Sequence, residues 1–101
     1  MDSVIQAIAE PNRRAILQIV AAQELSAGEI ANHFSISRPA VSQHLTVLKD
    51  AGLLTERREG TSRFYRTRPE GLSELKGFLE SFWDERLLQL KKVVETRGRK
   101  N

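Results

Sequence analysis

The sequence predicts a mainly α-helical domain of about five helices with one small β-hairpin. Three observations lead there. Apolar residues recur at helical spacing through most of the 101 residues, a 40% apolar content suffices for one modest core, and the stretch between Gly52 and Pro69 breaks that spacing with two short strand-like runs. A domain this short buries a smaller share of its surface than a larger one, so pairing two chains across an apolar helix is a natural source of added stability.

Val4, Ile5, Ile8 and Ala9 follow helical spacing in a short first segment. Pro11 suits the first turn of a second helix carrying Ile16, Leu17, Ile19 and Val20. Ser26-Ala27-Gly28-Glu29 matches a capping box, which starts a third helix near residue 27 with Ile30, Ala31 and Phe34 on one face. That helix is expected to give way at Ser35-Ile36-Ser37, a three-residue break. Ser37 is an N-cap for a fourth helix that tolerates Pro39 in its first turn. Val41, Leu45 and Leu48 bury one stripe of it, leaving Arg38, Ser42, Gln43, Thr46 and Lys49 outward.

Gly52 is placed to end this helix as the residue after its cap. Leu53-Leu54-Thr55-Glu56-Arg57 reads as a strand, Glu59-Gly60-Thr61 as the turn, and Arg63-Phe64-Tyr65-Arg66-Thr67 as the returning strand, stopped by Pro69. From Glu70 onward Leu72, Leu75, Leu79, Phe82, Leu87, Leu90 and Val94 predict one long helix spanning about residues 70–95. Phe78 and Trp83 widen its apolar stripe beyond what one small domain needs. No repeat or linker interrupts residues 1–96, which read as a single domain, and residues 97–101 form a basic tail expected to be disordered.

Charge is distributed unevenly. Residues 38–68 hold Arg38, Lys49, Arg57, Arg58, Arg63, Arg66 and Arg68 against Asp50, Glu56 and Glu59, a net +4, whereas residues 1–37 and 69–96 each carry a net −2. A polyanion would bind the basic middle third. With no cysteine there is neither a disulfide framework nor a thiolate metal site. The chain has no signal-peptide pattern or run of about 18 apolar residues, so it is expected to be cytoplasmic and not inserted in a membrane.

A helix, a short break, a second helix with a polar outer face and an immediately following basic ribbon make a winged helix-turn-helix pattern, although each piece alone is common. The run Ser37-Arg38-Pro39-Ala40-Val41-Ser42-Gln43-His44-Leu45, followed by Leu48 and Ala51-Gly52-Leu53, closely resembles the recognition-helix signature of the ArsR-type repressors. Ala9 to Leu17 resembles that family's second-helix opening, and Arg58-Glu59-Gly60 with Phe64-Tyr65-Arg66 resembles its wing. The resemblance covers residues 3–95. It implies a winged-helix repressor, often acting on its own promoter, whose first and last helices form a homodimer interface.

Metal-sensing members of that family place two cysteines at the start of the third helix, or His and carboxylate ligands on the last helix. The positions matching the cysteines are Ser26 and Gly28, and the last helix has no histidine to join Asp84 and Glu85. The expectation is therefore no metal and no cofactor. Phe82-Trp83-Asp84-Glu85-Arg86-Leu87 instead resembles the metal-free, SdpR-like branch.

Double-stranded DNA is the expected partner, contacted by Ser37, Arg38, Pro39, Ser42, Gln43, His44, Thr46 and Lys49 of the fourth helix and by Arg58 and Arg63 near the wing tip. Arg38 and Gln43 can read guanine and adenine edges in bidentate fashion, and the bland alternative for each is a soluble helix face. His44 is open to a phosphate contact or a structural hydrogen bond. Some of Arg57, Arg58, Arg63 and Arg66 must point away from DNA because strand residues alternate. Phe64 and Tyr65 are expected to pack the wing. Ile5, Ile8, Leu75, Phe78, Leu79, Phe82, Trp83 and Leu90 are expected to form the dimer interface, as aromatics at this spacing more often pack an interface than line a ligand pocket. A protein-docking module using the last helix is the competing class, and an unknown effector or protein partner is compatible with either. No nucleophile elbow, phosphate loop or paired catalytic histidine supports an enzyme.

Overall fold

The computed structural model describes residues 1–82 together with Gln89, Val93 and Val94. Among them the order is α1 (Asp2–Ile8), α2 (Pro11–Ala22), β1 (Leu25–Ser26), α3 (Ala27–Ala31), α4 (Arg38–Asp50), β2 (Leu54–Glu59), β3 (Ser62–Thr67) and α5 (Pro69–Glu80). The strands form an antiparallel sheet in the order β1-β3-β2. The hairpin was legible, but the two-residue β1 was not. It pairs Leu25 with Tyr65 and Ser26 with Phe64, anchoring the start of α3 to the wing.

Local chemistry explains the boundaries. Glu10 caps α2 by accepting from the Arg13 backbone N–H (2.9 Å). Ser26 and Glu29 form the expected reciprocal capping box, at 3.1 and 3.0 Å. Helix α4 ends in a Schellman arrangement, with Gly52 N–H donating to Lys49 O and Leu53 N–H to Leu48 O, each at 3.0 Å. In the two-residue hairpin loop the positive φ of 61° falls on Gly60, the position a type II′ turn reserves for glycine.

Two expectations need correction. The break between the helix-turn-helix helices runs over residues 32–37 rather than 35–37, because α3 tightens at its end into bonds from His33 N–H to Ile30 O and from Phe34 N–H to Ala31 O. Helix α5 closes at Glu80 instead of running unbroken to about residue 95. There the Ser81 hydroxyl donates to the Phe78 carbonyl, an alternative partner that competes with the helical ladder. Gln89, Val93 and Val94 are again helical.

Ile16, Val20, Ile30, Leu45, Leu48 and Leu53 form the centre of the core and are fully buried. Burying each such side chain contributes roughly 1.5–3 kcal/mol. The buried Thr67 hydroxyl donates to Leu17 O at 3.0 Å, tying β3 to α2. Among the described residues no buried side-chain N or O lacks a partner, and no helix is long and apolar enough to cross a membrane. Arg68 N–H donates to Leu53 O (2.9 Å), after which Gly71 lies so close to the Gly52 carbonyl that a Cβ would collide with it. Glycine at 71 thus sets where α5 leaves the sheet.

Candidate nucleic-acid interface

The Ser37 hydroxyl accepts from Ala40 N–H (3.2 Å) and fixes the start of α4, with Pro39 in its first turn. Val41, Leu45 and Leu48 are the buried stripe, which rotates Arg38, Pro39, Ser42, Gln43, Thr46 and Lys49 to the exposed side. Ser37, Pro39, Ala40, Ser42, Gln43, Thr46 and Val47 line one shallow, open hollow. Val47 was not anticipated there. Its signal was an apolar residue outside the 41/45/48 stripe, and it is 38% exposed. Arg38 reaches back toward α3, its guanidinium 3.9 Å from where a Cβ on Gly28 would stand.

The strand register sorts the wing arginines. Leu54, Glu56 and Arg58 pair with Thr67, Tyr65 and Arg63, so these six share one face, and Glu56 meets α4 there through Lys49 Nζ at 3.4 Å. Arg58 and Arg63 are therefore on the α4 side. Thr55, Arg57 and Glu59 share the opposite face with Arg66, Phe64 and Ser62.

On that opposite face Arg57 is committed to protein. It donates to Glu24 and Glu59, each at 2.7 Å, and its guanidinium stands 4.7 Å from the Phe64 ring centre. Bonds to Glu24 and then Glu59 raise its pKa further above the ordinary arginine value, and the Arg57 bond lowers that of Glu24. Burial pushes the Glu56 carboxyl upward, but bonds from the Tyr65 hydroxyl (3.0 Å) and Lys49 outweigh it and hold the carboxyl low. Arg58 Nε also lies 3.6 Å from Glu56.

His44 lies apart from the exposed side of α4. It is directed at α2, with Nδ1 3.3 Å from Arg13 Nη1 and Nε2 3.8 Å from Glu10, and its side chain is only 17% exposed. Of the two roles open to it from sequence, the structural hydrogen bond is the one these contacts favour. The physical reason is angular, since position 44 falls between the buried stripe and the open hollow and meets the neighbouring helix. From sequence, Arg13 and Glu10 are legible only as part of a helix opening.

The proposed dimer residues divide. Ile5 (39%), Leu79 (51%) and Phe82 (53%) are exposed, whereas Ile8 and Leu75 are partly buried against the core. The half-buried Phe78 holds Phe82 edge-on, with ring centres 5.2 Å apart. Trp83 and Leu90 lie outside the described residues, as do Asp84 and Glu85. Of the two positions matching metal-binding cysteines, Ser26 uses its hydroxyl to cap α3 and Gly28 has no side chain.

The sequence profile described as "Bacterial regulatory protein, arsR family" matches residues 10–56. The chain is 42% identical over 97 residues to an HTH-type transcriptional regulator of Mycobacterium tuberculosis, covering 96% of this chain and 91% of that one. It is 42% identical over 65 residues to the transcriptional repressor SdpR of Bacillus subtilis, covering 64% of this chain and 72% of the repressor. A crystal structure of a possible transcriptional regulator for arsenical resistance superposes with a TM-score of 0.77 at 41% identity, covering 91% of this chain and 95% of that one. A homodimeric winged helix-turn-helix DNA-binding domain of Mycobacterium bovis, solved in solution, gives 0.67 at 32% identity, over 85% of this chain and 80% of that one.

Proposed function

The chain belongs to the arsR family of bacterial regulatory proteins, and from that premise we propose that it is a cytoplasmic, homodimeric repressor that binds a palindromic operator without responding to metal ions. The observation that carries this reading is the exposed polar side of α4 beside a wing whose Arg58 and Arg63 share the sheet face that meets α4 through Glu56 and Lys49. In this reading Arg38 and Gln43 read base edges, Ser42, Thr46, Ser37 and Lys49 bond bases or phosphates, Pro39 shapes the helix entry, and Arg58 and Arg63 meet the DNA backbone. Two copies related by a two-fold axis would put two recognition helices in major-groove segments about one helical turn, or a multiple of one, apart. Occupying a promoter in this way excludes polymerase, and the chain's own promoter is the first candidate.

The exposed apolar residues of α1, of α5 and just beyond its end support the homodimer, because Ile5, Leu79 and Phe82 would leave water on pairing. Metal insensitivity is supported by the donor chemistry at Ser26 and Gly28, which offers no thiolate. A mobility-shift titration against DNA upstream of its own gene tests the reading. The expected result is a dimer complex that outcompetes unrelated duplex and survives added zinc, cadmium or arsenite. Equal affinity for every duplex would overturn it, and release by one of those ions would overturn the metal-free part.

A further inference from the structure

Arg13 and His44 join three helices that the DNA-binding reading treats separately. The Arg13 guanidinium donates from Nε to Ala7 O (2.6 Å) and from Nη2 to Gln6 O (3.0 Å), two carbonyls in the last turn of α1. Gln6 O also accepts from the Ala9 N–H at the end of α1 (3.3 Å), and last-turn carbonyls of this kind have room for a side-chain donor. Its remaining arm, Nη1, reaches His44 Nδ1 on α4 at 3.3 Å. A guanidinium only donates, so Nδ1 must accept, and neutral His44 carries its proton on Nε2. That N–H faces Glu10 Oε2 at 3.8 Å, and the same oxygen accepts from the Arg13 backbone N–H. The planar fork of arginine satisfies α1 and α4 at once, which a lysine ammonium at the end of a flexible stem does not reproduce.

We propose that Arg13 and His44 are positioning residues that lock the rotation of the recognition helix α4 to α1, and thereby set the operator half-site spacing the dimer accepts. The inference rests on the proposed roles of α1 in pairing and α4 in reading DNA. Helix α1 presents the exposed Ile5 and α4 presents Gln43, so a fixed angle between these helices fixes each recognition helix relative to the two-fold axis. Glu10 closes the ring by capping α2 and facing the imidazole. His44 thus acts on DNA through the placement of Gln43 and Ser42, with no contact of its own.

The test starts with the duplex that the full-length wild-type protein enriches from a random pool, remade with its spacer lengthened or shortened. His44→Asn retains an acceptor where Nδ1 stood, and His44→Leu removes it. The expected result is that His44→Leu stays dimeric in sedimentation, binds the enriched duplex about tenfold more weakly and discriminates less between spacers, while His44→Asn keeps the wild-type pattern. Wild-type affinity and spacer preference in His44→Leu would overturn the proposal. So would equal loss in both variants with spacer preference intact, the signature of a direct DNA contact. Nitrogen-15 spectra of the wild-type imidazole are read independently and decide the matter if His44→Leu does not fold. The Nε2–H form is expected, and a proton on Nδ1 would overturn the proposal. If the wild-type protein enriches no duplex, the repressor reading fails, while the tautomer still tests the Arg13–His44 bond.

Discussion

Leu48 and Leu79 are leucines on amphipathic helices, yet one is fully buried and the other is 51% exposed. Leu48 belongs to a head made of α1 to α4 and the sheet, whose apolar residues close on one another and whose ends are capped by its own side chains. Leu79 belongs to a helix that commits only Leu72 and Leu75 to that core and leaves Leu79, like Phe82 just beyond its end, in water. The head holds itself together, whereas among the described residues the α5 face is left open at Leu79. Folding and association should therefore be separable by mutation.

The largest effect should come from the head. Leu48→Ala is expected to cost about 2–5 kcal/mol through lost burial and a residual cavity. The loss, read by denaturant titration, should be the same at all protein concentrations, and dependence on concentration would blur the two regions. Next is Gly71→Ala, whose Cβ meets the Gly52 carbonyl and must push α5 from its place. About 1–3 kcal/mol of destabilisation is expected, together with weaker dimerisation because α5 moves as a unit. A stable, fully dimeric Gly71→Ala protein would show that the close approach matters little.

Leu79→Ser should be milder for folding, within about 0.5 kcal/mol for the monomer, as exposed positions usually are. Its effect should appear in the sedimentation midpoint, shifted to higher protein concentration. Unchanged association would remove Leu79 from the interface. The smallest effect belongs to the wing clamp. Glu24 and Glu56 have lowered carboxyl pKa values, so the stability they add is present at neutral pH and is lost as pH falls through and below the usual carboxylate range. An acid titration should accordingly weaken the wild type slightly more than Glu24→Gln, and a steeper acid loss in the variant would contradict the clamp.

The same contrast explains what could be read from sequence. The head was legible because periodicity, Ser26 and Ser37 caps and Gly52 each state a local rule that the fold obeys. What escaped depends on partners distant in the chain. Strand β1 is two residues long and exists only because Tyr65 and Phe64 pair with it. Arg57 cannot be told from Arg58 until the register sets Arg57 beside Phe64 and brings Glu24 to it. His44 looks like any polar residue of a recognition helix until Arg13, 31 positions earlier, is found against it. The helical period placed Gln43 and Ser42 on the exposed side, but it said nothing of which neighbouring helix would claim position 44.

The central claim is that α4 reads sequence while the wing supplies attraction. It is tested most directly by the ratio of operator to unrelated-duplex affinity, measured against salt concentration, for Gln43→Ala and Arg63→Ala. Gln43→Ala should lose about 1–3 kcal/mol on the operator and little on unrelated duplex, leaving the salt slope unchanged. Arg63→Ala should weaken both duplexes alike and reduce the slope by about one counterion per subunit. Full specificity in Gln43→Ala together with lost specificity in Arg63→Ala would contradict the account and move base reading from the helix to the wing.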